Sequence, residues 1–92
     1  MGHCPGNTAT ANTFSNNLVY IPNYAGSNNK SVSAEGQAEN NSSTNGNWTV
    51  SMTAGLASTT SAISSITFTL ASTATQNFMQ HSTATLYGIR KY

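Results

Sequence analysis

Residues 30–39, KSVSAEGQAE, alternate without a break, with Val32, Ala34, Gly36 and Ala38 on one side and Ser31, Ser33, Glu35, Gln37 and Glu39 on the other. A period of two predicts a half-buried strand whose small inward residues admit a close neighbour. The same period returns over residues 48–56, with Trp48, Val50, Met52, Ala54 and Leu56 inward. Between them lies NNSSTNGN, whose Asn45-Gly46 suits the positive φ angles of a tight turn, so the two strands are expected to form a hairpin. An earlier β-branched and aromatic run predicts a strand at about 17–22, stopped by Pro22-Asn23, because proline cannot donate to a ladder. Ile66-Thr67-Phe68-Thr69-Leu70 alternates bulky and Thr residues and predicts a fourth strand. In the terminal run, Ala84, Leu86 and Gly88 oppose Thr83, Thr85, Tyr87 and Ile89, which predicts a fifth strand with two buried faces, closed by Arg90-Lys91.

The remaining segments are connections. Residues 1–15 hold Gly2, Pro5 and Gly6 and read as an irregular lead-in; residues 57–65 are a soft link with room for one helical turn around 60–63. Asn77-Phe78-Met79-Gln80-His81 reads as a short strand or an apolar plug. Five strands without helical periodicity predict an all-β fold, an antiparallel β-sandwich or jelly roll occupying residues 16–92, or the C-terminal part of one.

Composition changes this picture in one respect. Hydrophobic residues make up 37% of the 92, charged residues 5%, and 39 positions are Ser, Thr or Asn. A core built from so little is thin, so the sheet is expected to be completed by a neighbouring subunit or by N-terminal strands absent from this chain. The formal net charge of +1 provides no field to attract phosphates or an anionic bilayer, so neither nucleic acid nor membrane is an expected partner. The single cysteine, Cys4, cannot close an internal disulfide.

Two segments, YIPNYAGS at 20–27 and STATLYGI at 82–89, together with Gly55-Leu56, Ile63-Ser64-Ser65-Ile66-Thr67 and Asn77-Phe78, resemble a family of β-rich proteins from tailed bacteriophages and environmental viromes. The resemblance runs from about Thr8 to near the end of the chain. It implies a virion structural protein, either a tail-fibre or tail-associated domain or one attached to the capsid. Members of that family carry further β-rich sequence ahead of the segment matching Asn7-Thr8-Ala9-Thr10. The resemblance brings no catalytic residue.

Candidate chemistry is sparse. His3 and Cys4 are adjacent, and His81 is the only other strong ligand, which falls short of a metal site; no metal or other cofactor is expected. The only carboxylates, Glu35 and Glu39, would stand about 13 Å apart on a strand, too far for a glycosidase pair. There is no Asp and no Gly-x-Ser-x-Gly elbow, so an enzyme is not expected. Thr67, Thr69, Thr83 and Thr85 could align as a ladder, although Thr on an exposed face is simply a good β former. Trp48 falls on the inward face; Tyr24, on a turn, is the best exposed aromatic. Tyr24, Asn41 and Asn45 are therefore the candidate contacts for a ligand or receptor. The sequons beginning at Asn29, Asn40, Asn41 and Asn47 mean little in a chain so rich in Asn and Ser.

The function expected on these grounds is non-enzymatic: a phage virion protein, in a tail fibre or decorating the capsid, that assembles with copies of itself, as a trimer in a fibre, and with other virion proteins. The alternative is a carbohydrate- or receptor-binding module at a fibre tip, holding a host cell-surface glycan.

Overall fold

The structure, a computed structural model, describes residues 2, 4–5, 10–39, 41, 49–70 and 77–90. Three strands, β1 (Ser15–Tyr20), β2 (Lys30–Ala38) and β3 (Thr49–Ala57), form one antiparallel sheet in the order β1-β2-β3. The protein is all-β, and no helix occurs among the described residues.

Each strand ends where its sequence stops supporting a ladder. β1 closes at Tyr20, two residues before Pro22. The chain then turns through Asn23, at φ 53°, and the Gly26 N–H donates to the Asn23 carbonyl at 3.0 Å. Asparagine tolerates that left-handed backbone at low cost. The expected hairpin forms as β2 and β3, paired from Lys30↔Ala57 to Ala38↔Thr49. Its Asn45-Gly46 turn and Trp48 lie outside the described residues.

The register corrects one expectation. Val32, Ala34, Gly36 and Ala38 stand opposite Gly55, Thr53, Ser51 and Thr49, whereas Val50, Met52, Ala54 and Leu56 stand opposite Gln37, Glu35, Ser33 and Ser31. Even-numbered residues of β2 thus share a face with odd-numbered residues of β3. The two apolar rows, both read as inward, point to opposite sides because a one-residue change of register inverts every side chain. Both faces of the sheet are therefore partly apolar.

One face is closed by small groups. Ala34 and Gly36 are buried there, Val32 and Ala38 half-buried, and Gly2 of the N-terminal segment lies against Gly36 and Asn17. A Cβ at Gly36 would collide with Asn17 Oδ1 and approach the Gly2 Cα to 3.2 Å. The close approach expected of this row of small residues is thus made by the Asn17 side chain and the Gly2 backbone. Gly36→Val should destabilise the sheet by about 1–3 kcal/mol through overpacking. Gly55→Val, where an added Cβ meets nothing within 4 Å, should be nearly neutral. The urea midpoints of the two variants check this, and equal midpoints would contradict it.

The fourth and fifth strands do not form. Residues 62–70 and 82–90 carry no strand, and Phe68, Leu86, Tyr87 and Ile89 are exposed instead of buried between layers. Alternation specifies a period but supplies no partner, and among the described residues no strand pairs with either segment. Residues 60–63 form no helix; Ser61 lies at a bend, its N–H donating to Thr59 Oγ1 at 3.3 Å. The segment at 77–81 is neither strand nor plug: the chain turns through Gln80 and His81, the Ser82 N–H donates to the Met79 carbonyl at 3.1 Å, and Phe78 and Met79 are exposed.

The molecule is less compact than a typical folded monomer of its mass. Its accessible surface is 7998 Å², against about 5,100 Å² for a folded monomer of this mass, an excess of about 2,900 Å². The radius of gyration is 15.7 Å, where about 12 Å is usual for this length. Among the described residues, Ala34 is the one buried hydrophobic side chain.

Candidate interaction face

The other face of the sheet is open. Register places Leu18, Glu35 and Met52 in one row across the three strands and Tyr20, Ser33 and Ala54 in the next. Neighbouring strands lie about 4.8 Å apart, so the Glu35 side chain rises between two apolar neighbours. These residues line an open concavity of about 420 Å³. Leu18 is 61% exposed and Met52 83%. Val50 and Leu56 extend the apolar row along β3, and both are exposed. A lone carboxylate flanked by apolar side chains suits a partner that is itself apolar and carries one cation.

Near one end of the sheet lies a residue that sequence reasoning missed. Lys30 is 1% exposed, and its Nζ donates to the carbonyls of Gly26 at 2.6 Å, Asn28 at 2.7 Å and Thr59 at 3.3 Å. The first two belong to the β1–β2 connection and the third to the segment after β3. The Ile63 N–H adds a second tie to the Tyr24 carbonyl at 2.9 Å. One side chain thus satisfies three backbone acceptors and fastens two connections together. Its signal was phase: position 30 falls on the same side of β2 as Val32 and Ala34, where a lysine must find acceptors.

The candidate contact residues do not converge. Tyr24 is 49% exposed on the turn after β1. Asn41, exposed at φ 54°, lies beyond the other end of β2, and its N–H donates to Glu39 Oε2 at 2.6 Å. The nine residues of β2 hold these two ends roughly 30 Å apart. Asn45 lies outside the described residues.

Glu35 and Glu39 are both exposed, the first within β2 and the second past its end. Thr67, Thr69, Thr83 and Thr85 belong to no strand and form no ladder. Cys4 is free and exposed, His81 occupies a turn at φ 74°, and His3 lies outside the described residues. Among the described residues no three His, Cys, Asp or Glu are grouped to hold a metal ion, and no helix is long and apolar enough to cross a membrane. Comparison with protein-family models, curated proteins and solved structures finds no match to the chain.

Proposed function

We propose that the chain is a non-enzymatic structural protein of a bacteriophage virion, acting in a tail fibre or on the capsid by assembly with copies of itself and with other virion proteins. The observation that carries the assembly part is the excess surface of about 2,900 Å² per chain, well above the roughly 800 Å² that each partner contributes to a standard interface. A sheet with apolar residues on both faces and strand-patterned segments left unpaired favours completion into a sandwich by neighbouring subunits, with a trimer as the fibre arrangement. The virion setting is supported by the YIPNYAGS and STATLYGI segments and by a surface of Asn, Ser and Thr in place of charge.

A second role, holding a host glycan at a fibre tip, is favoured by Tyr24, an exposed aromatic on a turn beside Asn23. Antibody raised against the chain should label purified phage particles of the encoding virus, at the tail or over the capsid. Particles that bind no antibody and yield no peptide of the chain by mass spectrometry would overturn the virion reading.

A further inference from the structure

We propose that the contact between copies is made by the terminal segment 84–90 of one chain lying along the open face of another, with Arg90 of the first paired to Glu35 of the second. This rests on the assembly reading above and specifies its interface.

Charge narrows the choice of partner. The chain has three basic residues and two carboxylates. Lys30 is committed to three carbonyls, which leaves Arg90 and Lys91 beside the terminal segment. Glu39 accepts the Asn41 N–H beyond the strand, which leaves Glu35 as the carboxylate on the open face. Among the described residues neither Glu35 nor Arg90 makes an ion pair, and both are exposed.

Spacing narrows it further. In extended chain Ala84, Leu86, Gly88 and Arg90 share one side. Leu86 and Arg90 are four residues apart, as are Leu56 and Met52 on β3 and Ser31 and Glu35 on β2. With Arg90 over the Leu18–Glu35–Met52 row, Leu86 falls over the Ser31–Leu56 row, and Gly88 comes to the row between, which contains Tyr20. A Cβ at Gly88 would meet nothing within 4 Å in its own chain. Its missing side chain leaves room for a partner's phenol ring. Leu86, 83% exposed, would cover Leu56, 69% exposed.

The test is sedimentation of the full-length chain and its charge variants. The wild type should associate; Glu35→Arg and Arg90→Glu, each at an exposed position, should keep the β-sheet circular dichroism but raise the dissociation constant at least about tenfold by placing like charges together. An equimolar mixture of the two variants should associate again, because each unlike contact then joins opposite charges. Gly88→Val should weaken association without lowering the sheet signal. Association that survives both charge reversals, or a mixture that stays dissociated, would overturn this interface while leaving self-assembly intact. A wild type that never associates would overturn the assembly reading itself.

Discussion

Replacement of Lys30 by methionine is expected to unfold the sheet at room temperature or to lower its stability by about 2–4 kcal/mol, because hydrogen bonds to a charged group are worth about 1.5–3 kcal/mol and stranded acceptors cost more than the bond gained. Methionine keeps most of the buried stem, so the loss isolates the three carbonyls of Gly26, Asn28 and Thr59. With Ala34 as the one buried hydrophobic side chain among the described residues, little packing remains to offset them. Lys30→Arg should also fail, since a planar fork does not fit acceptors arranged around a single point. Urea titration followed by far-ultraviolet circular dichroism reads the effect. A Lys30→Met midpoint equal to that of the wild type would show that the cage contributes nothing to stability.

Deletion of residues 82–92 is expected to abolish self-association while the three-stranded sheet survives. Among the described residues all ladder pairing lies within residues 15–57, so the truncation removes no described strand partner. It does remove Leu86, Tyr87 and Ile89, which are 83%, 81% and 76% exposed and have no cover within the chain. The truncated protein should sediment as a monomer, keep its strand signal and melt at a temperature independent of concentration, whereas the parent should melt higher as concentration rises. A truncation that assembles as tightly as the parent would place the contact elsewhere.

The contrast between these two variants reflects what the sequence could convey. The three paired strands were legible to within a few residues because alternation, Pro22 and the turn-rich stretch before Trp48 all act locally. The relative phase of β2 and β3 was not, because it depends on the register closed by residues 39–48, and one residue decides which rows share a face. Residues 66–70 and 83–89 carry the same alternation as the paired strands, yet neither segment adds to the outer edge of β1 or β3. Their alternation specifies a face to bury but not the surface that would cover it. The open face was hidden for the same reason: Glu35 reads as a solvated residue on β2, and only the register sets it between Leu18 and Met52. Lys30 could have been found by phase alone, since it continues the buried side of β2.

On the assembly proposal, the apolar segments that this chain leaves exposed are covered by other copies of itself. Sedimentation equilibrium of the full-length protein across the micromolar range tests it most directly. A concentration-dependent oligomer whose unfolding midpoint rises with concentration is the expected result; a monomer at every concentration that unfolds in one cooperative transition would overturn the proposal.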